Sequence, residues 1–149
     1  MTRWTRALLL AAATLAMAVP SMDVSAQTLK LGTILPEENI LTKNARMFAD
    51  LVKEKTDGRV TVEVYPASQL GNERDLTEGM QIGTVEMAEV SGGVLSAFAP
   101  EVGVFSLPFI FRDWDHLTKV LQSDVADDLN GIVLDKTGLR VLGWMQQGF

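Results

Sequence analysis

The sequence predicts an α/β protein with a mostly parallel sheet flanked by helices. Short stretches in which apolar and polar residues alternate are typical of strands, and longer stretches with apolar residues at three- and four-residue steps are typical of helices. These stretches follow one another as strand, helix, strand, helix, strand, an order that favours parallel strands with helices on the faces of the sheet. The 149 residues include no cysteine, so disulfide bonds cannot stabilise this fold.

The N-terminal residues 1–26 are predicted to be a secretory signal peptide. Arg3 and Arg6 precede an uncharged, mostly apolar run over 7–19, and the small residues at 24–26 suit cleavage after Ala26. A membrane anchor is the alternative, but the run is well short of the ~20 residues that span a bilayer. We therefore expect a periplasmic protein that is not inserted in the membrane after cleavage.

The charge of the remaining chain argues against two classes of partner. The whole sequence holds 13 Lys and Arg against 19 Asp and Glu, and removal of Arg3, Arg6 and Asp23 with the signal peptide leaves 11 against 18, a formal charge of −7. A chain this acidic is not expected to bind nucleic acid or an anionic membrane surface through charge. Residues 27–149 suffice for one domain or part of a larger one.

The first half of this region predicts three strands with two helices between them. Alternating residues predict the strands over 28–34, 59–65 and 84–90. Apolar residues from Leu41 to Val52 form one stripe of the first helix, which Gly58 would terminate. Asn72 is placed to cap the second helix, and Gly83 is placed to end it.

The second half predicts further helices and a last strand. Asp113 is placed to cap a helix that begins at Trp114. A following helix over 124–136 would bury four apolar residues, Val125, Leu129, Ile132 and Val133. The final stretch is predicted to start as a strand through Val141 and Leu142.

No enzymatic or metal-binding constellation is visible in the sequence. The single histidine, His116, lies three residues after Asp113, a spacing that metal sites use, but nothing nearby completes a ligand set. A solvated helix start is the alternative for this pair. The glycine patterns of phosphate and dinucleotide loops and the serine nucleophile motifs are absent. We therefore expect a protein that is not an enzyme and that uses no cofactor or metal.

The end of the third predicted strand indicates binding instead. It delivers Ser91, Gly92 and Gly93 to the carboxyl edge of the sheet, where open α/β sheets bind their ligands. Backbone N–H groups at the start of the next helix would suit an anionic group. Ser91 acting only as the N-cap of that helix is the alternative, and the sequence leaves both roles open.

Three stretches of the chain carry a family resemblance. They read FADLVKEKTDGRVTVEVYPASQLGNERDLTEGMQIGTVEM at 48–87, APEVGVFSLPFIFRDWDH at 99–116 and LRVLGWMQQGF at 139–149. With these stretches the chain resembles the DctP-type solute-binding proteins of TRAP transporters (tripartite ATP-independent periplasmic transporters). The resemblance implies two α/β lobes with a small organic acid, such as a C4-dicarboxylate, in the cleft between them. It also implies membrane permease subunits as partners, and we expect the binding protein to be a monomer.

The resemblance further implies where the ligand would lie. Cleft positions follow the first strand, around Ile34 to Asn39, and the third strand, at Ser91 and Gly92, and another lies at the crossover near Gln147. In related sialic-acid binders the two strand-end positions carry polar side chains. Ile34 and Ser91 stand there in this chain, which disfavours sialic acid as the ligand.

The resemblance also leads us to expect a partial sequence. Family members commonly continue beyond the final Gly-Phe with an arginine, and a later strand supplies another, because the planar guanidinium makes two parallel hydrogen bonds to a carboxylate. Residues 27–149 are therefore expected to be an incomplete first lobe, with the second lobe absent. The alternatives are a binding protein of an ATP-driven importer, an extracytoplasmic sensor module and an exported hydrolase.

Overall fold

The computed structural model describes residues 26–145, and it confirms the predicted α/β fold. The strands are β1 (Gln27–Gly32), β2 (Val60–Tyr65) and β3 (Met87–Ala88). They form a sheet in the order β2-β1-β3, in which both pairings are parallel. Residues 1–25 of the predicted signal peptide and Gln147 lie outside the described residues.

The second helix between the strands begins and ends as its capping residues predict, whereas the first ends at Lys55 with Thr56 as its C-cap, before the predicted Gly58. The first, α1 (Ile40–Lys55), begins after Asn39, and the second, α2 (Glu73–Ile82), begins after Asn72. The Asn72 side chain accepts the backbone N–H of Asp75, and the Asp75 carboxylate accepts the N–H of Asn72, which is a capping box. Gly83 ends α2 at a φ of 77°, a left-handed conformation that glycine adopts without steric cost.

Four further helical elements follow the sheet among the described residues. They are α3 (Gly92–Leu95), a 3₁₀ helix (Pro100–Ser106), α4 (Trp114–Leu121) and α5 (Asp124–Thr137). Asp113 accepts the backbone N–H of His116 at 2.7 Å, so it caps α4 as predicted. Within residues 26–145, no helix is long and apolar enough to cross a bilayer. The same residues contain no cluster of three or more His, Cys, Asp or Glu that could hold a metal ion.

The sheet is packed from both sides. Right-handed crossovers between parallel strands place α1 and α2 on opposite faces. Leu76 of α2 is fully buried and lies directly over Gly32, where an added Cβ would come within 2.4 Å of its Cδ2 atom. The absence of a side chain at Gly32 therefore lets α2 approach the central strand closely.

A second apolar cluster lies beyond the sheet and joins the later helices. Its buried members are Leu95, Ala99, Val102 and Val133, and half-buried Val90, Phe105, Val141 and Trp144 pack against them. The ring of Phe105 meets the ring of Trp144 edge-on at 5.1 Å, a favoured aromatic geometry. Gln81 in α2 donates a hydrogen bond to the carbonyl of Thr137 at 3.2 Å, which ties this cluster to the helices of the sheet.

Three predictions for single elements were wrong. The third strand is two residues long, because the Glu86 carboxylate accepts the Lys30 N–H at 2.8 Å, a bond that a longer main-chain ladder would otherwise have to make. Residues 139–142 form no strand in the described part of the chain, since no neighbouring strand pairs with them. Val125 is 52% exposed, and the neighbouring Ala126 is buried in its place.

We predict that Gly32→Ala destabilises the protein. The added methyl group would force the buried Leu76 side chain out of its position, and overpacking of this kind costs about 1–3 kcal/mol. Urea unfolding monitored by circular dichroism measures the change. Gly131→Ala is the control, because nothing lies within 4 Å of its added Cβ and alanine in a helix raises stability by roughly 0.5–1 kcal/mol. Equal stability of the two variants would contradict the predicted packing.

We also predict that Lys136 sets the titration of Glu101. The Lys136 Nζ atom lies 2.6 and 2.9 Å from the two Glu101 carboxylate oxygens, and this hydrogen bond lowers the pKa of Glu101 from its ordinary value of 4.5. Because the folded pKa is the lower one, the pair adds stability above the unfolded pKa and loses it as the pH falls through the folded pKa. In Lys136→Met the Glu101 pKa should rise, as measured by NMR titration of its carboxyl carbon. An unchanged pKa would rule out the ion pair in solution.

Candidate ligand-binding rim

Three segments follow the strands at one edge of the sheet, and together we call them the strand-end rim. They comprise the loop 33–39 after β1, the loop after β2 with the first residue of α2 (66–73), and the loop after β3 with the first two residues of α3 (89–93). Because the strands are parallel and adjacent, their carboxyl ends lie side by side. This is the edge at which open α/β sheets bind ligands.

Backbone hydrogen bonds hold the first two loops together. The N–H of Thr33 donates to the carbonyl of Tyr65 at 3.0 Å, and the N–H of Ser68 donates to the carbonyl of Thr33 at 3.1 Å. The N–H of Ala67 donates to the carbonyl of Leu35 at 2.8 Å. Thr33 is 1% exposed, so the two hydrogen bonds that it makes are shielded from water. The segments after β1 and β2 are therefore joined through their backbones.

The turn after β2 adopts a backbone conformation that is unusual for its residues. Ala67 and Ser68 have φ angles of 52° and 59°, in the left-handed region that disfavours side chains with a Cβ. Each such residue costs on the order of 1–3 kcal/mol and persists where its surroundings hold it in place. Here the hydrogen bonds that Ala67 and Ser68 donate to the carbonyls of Leu35 and Thr33 supply that constraint.

The predicted site residues that the structure describes all lie on this rim. Ile34 is 37% exposed and presents an apolar side chain beside the end of β1. The Asn39 side chain accepts the N–H of Leu41 at 2.9 Å, so it has a capping role at the start of α1. Beside Gly92, the nearest atom to an added Cβ would be Val102 Cγ1 at 3.8 Å. Close packing therefore does not explain the glycine at this position.

Ser91 pairs with a carboxylate that sequence analysis missed. Its hydroxyl donates to Glu73 Oε2 at 2.5 Å and accepts the N–H of Val94 at 3.4 Å. Ser91 is therefore an N-cap, as the alternative prediction held, and it also joins the loop after β2 to the loop after β3. No local pattern predicts this pairing, because Ser91 and Glu73 are 18 residues apart in the chain.

The charges nearest the first loop are already paired. Arg46 in α1 makes a two-pronged ion pair with Glu37, with one contact at 2.7 Å between Nη2 and Oε2. This hydrogen bonding lowers the pKa of Glu37 and raises the pKa of Arg46. The guanidinium of Arg46 is thus committed to a neighbour within the same lobe.

A concavity of about 500 Å³ lies elsewhere, between α4, α5 and residues 142–144. Its walls include Thr118, Gln122, Asn130 and Trp144, and no charged side chain among the described residues lines it. The topology predicts a ligand site at the carboxyl edge of the parallel sheet, so the strand-end rim is the candidate site.

Comparisons with known proteins identify the family to which the chain is similar. Residues 31–149 match the model of bacterial extracellular solute-binding protein family 7. The chain is 33% identical over 141 residues to a solute-binding protein of Roseobacter denitrificans, which covers 93% of this chain and 43% of that protein.

Two solved TRAP periplasmic solute-binding proteins are similar in structure. One, from a Polaromonas species with bound D-erythronate, is 34% identical with a TM-score of 0.77, over 83% of this chain and 40% of that one. The other, from Sulfurospirillum deleyianum with bound succinate, is 36% identical with a TM-score of 0.70, over 75% of this chain and 36% of that one. The chain thus spans about two fifths of the length of these relatives.

We predict that Asn39 matters for stability through its cap. Asn39→Ala removes the acceptor for the Leu41 N–H and should lower the free energy of unfolding by about 0.5–2 kcal/mol. Asn39→Asp retains an acceptor and should stay near the wild-type value. Urea denaturation of the three proteins measures this difference. Wild-type stability in Asn39→Ala would show that the cap contributes nothing.

Proposed function

The chain belongs to bacterial extracellular solute-binding protein family 7, and on that premise we propose that the protein captures a small organic acid for uptake by a TRAP transporter. The ligand class is a C4-dicarboxylate or a related carboxylate. The observation that carries the proposal is the family match across 31–149, together with three parallel strands whose carboxyl ends form one rim.

The proposed contacts are the rim residues Ile34, Asn39, Ser91 and Gly92, with Gln147 added on sequence alone. Ile34 would pack against the carbon skeleton of the ligand, and the absence of a side chain at Gly92 would let the ligand approach the backbone. Ser91 and Asn39 use their side chains within the lobe, so their contribution would be to shape the loops. The bound ligands of the solved relatives, D-erythronate and succinate, support an organic acid.

We place this function in the periplasm. The family is one of extracellular binding proteins, and residues 1–26 are the proposed signal peptide. Residues 27–149 would form the first lobe of a monomeric two-lobe protein, and the second lobe would supply the cations for the ligand carboxylate. Membrane permease subunits would accept the ligand without chemical conversion, so the protein would act as a carrier and not as an enzyme.

We predict that the full-length protein binds organic acids and ignores their neutral analogues. Isothermal titration with D-erythronate, D-galactonate, succinate and L-malate should give saturable one-to-one binding for at least one acid. Erythritol, which has the hydroxyl groups of erythronate without the carboxylate, should give no heat of binding. A protein that binds none of the acids, or binds erythritol as well as erythronate, would contradict the proposal.

A further inference from the structure

Helix α1 carries an exposed row of apolar side chains along its length, which we call the α1 stripe. Ile40 and Met47 are 67% and 59% exposed, and Phe48 and Leu51 are exposed as well. At about 100° per residue these four side chains fall within about 100° of the helix circumference. The α1 stripe therefore lies on one side of the helix, apart from its buried face.

An exposed stripe of this kind is unusual for a helix at the surface. Such a helix normally turns polar residues to the side away from the core. The exposure of Ile40, Met47 and Leu51 shows that the described residues leave this side of α1 open. Contiguous apolar patches rimmed by polar residues mark interaction sites on proteins. The α1 stripe is therefore a candidate interaction surface.

Two opposite charges flank the α1 stripe on the same side. Lys43 and Asp50 are about 20° apart around the helix axis and about 10 Å apart along it. Neither forms an ion pair within residues 26–145. The centre of this pair and the centre of the stripe, which runs from Ile40 to Leu51, both lie close to the level of Arg46. An antiparallel copy of the helix centred there would bring Lys43 opposite Asp50 of that copy.

We infer that two copies of the protein pair through α1, with the helices antiparallel and related by a two-fold axis near the level of Arg46. The two stripes would then cover each other, and the ion pair between Lys43 and Asp50 would form twice, because a two-fold interface repeats every contact. Antiparallel helices also bring opposite ends of their macrodipoles together. The inference goes beyond the proposed function, in which one copy remains the unit that binds the ligand.

Charge favours a second copy over an anionic membrane surface as the partner. Asp50 and Glu54 flank the α1 stripe as well as Lys43, whereas helices that bind such membranes are rich in lysine and arginine on their polar face. Residues 27–149 hold 11 Lys and Arg against 18 Asp and Glu, a formal charge of −7. An anionic surface would repel this chain, but a copy of α1 offers it matching charges.

The pairing is expected to be weak and reversible. Stable protein pairs bury roughly 1,600 Å² in total, and smaller interfaces are typical of transient complexes. The 16 residues of α1 span about 24 Å, so one helix pair makes a small interface. The dimer should therefore dissociate on dilution and leave the ligand-binding monomer.

Sedimentation equilibrium of the full-length protein over a range of concentrations tests the pairing. The wild type should shift from monomer to dimer as its concentration rises. Leu51→Ser should weaken the dimer by at least about tenfold, because each dimer loses two covered leucines. Ile82→Ser changes a 76% exposed residue of α2 and should dimerise like the wild type. A wild type that stays monomeric, or equal weakening by the two variants, would overturn the inference.

Charge reversal tests the antiparallel arrangement. Lys43→Asp and Asp50→Lys should each weaken the dimer by about fivefold, since each places like charges opposite each other twice. The double variant should recover wild-type dimerisation, because opposite charges again face each other between the copies. This recovery cannot arise within one helix, in which residues seven apart do not contact each other. A double variant that dimerises no better than the single variants would rule out this arrangement.

A single introduced thiol reports on the α1 stripe directly, because the sequence contains no cysteine. Met47→Cys places a thiol next to the two-fold axis, so dissolved oxygen should oxidise two copies to one disulfide-linked dimer. Lys53→Cys lies on the same helix about 120° away around its axis and should stay unlinked.

The same variant identifies other occupants of the α1 stripe. If Met47→Cys neither cross-links nor reacts with a maleimide, another part of the longer protein covers the stripe and the inference fails. If it reacts with the maleimide but does not cross-link, the stripe is exposed and unpaired, which also overturns the inference. Binding of organic acids is measured separately, so either failure leaves the proposed function intact.

Discussion

The parallel pairing of β1 with both of its neighbours is the interaction on which the rest of the structure depends. At Leu31 and Gly32 the central strand pairs with β2 on one side and with β3 on the other. This double pairing brings three chain segments to the same edge of the sheet. It also places Gly32 directly beneath Leu76. The position of α2 against the sheet therefore depends on the same paired residues.

The shape of the strand-end rim depends on that pairing. Thr33 continues the contact between β1 and β2 beyond the last paired residues, and the left-handed turn at Ala67 and Ser68 closes against it. The bond between Ser91 and Glu73 then links the second loop to the third. These polar groups of the rim are thus used to build its shape.

Sequence reasoning succeeded where local chemistry decides the outcome. The start of α2 at Asn72 and its end at Gly83 could be predicted, because a cap depends on the residue at that position and on its immediate neighbours. It failed where a distant partner decides: Glu86 shortens β3 by bonding to Lys30, which is 56 residues away in the chain. The same distinction between local and distant causes holds for the candidate site. The place of Ser91 at a strand end could be predicted, whereas its bond to Glu73 could not, because that contact exists only after α2 and α3 are placed together.

The most direct test of ligand capture at the strand-end rim is a crystal structure of the full-length protein grown with D-erythronate. We predict that the ligand lies at the carboxyl ends of β1 and β3, in contact with Ile34. A ligand bound between α4 and α5, away from these strand ends, would contradict this assignment.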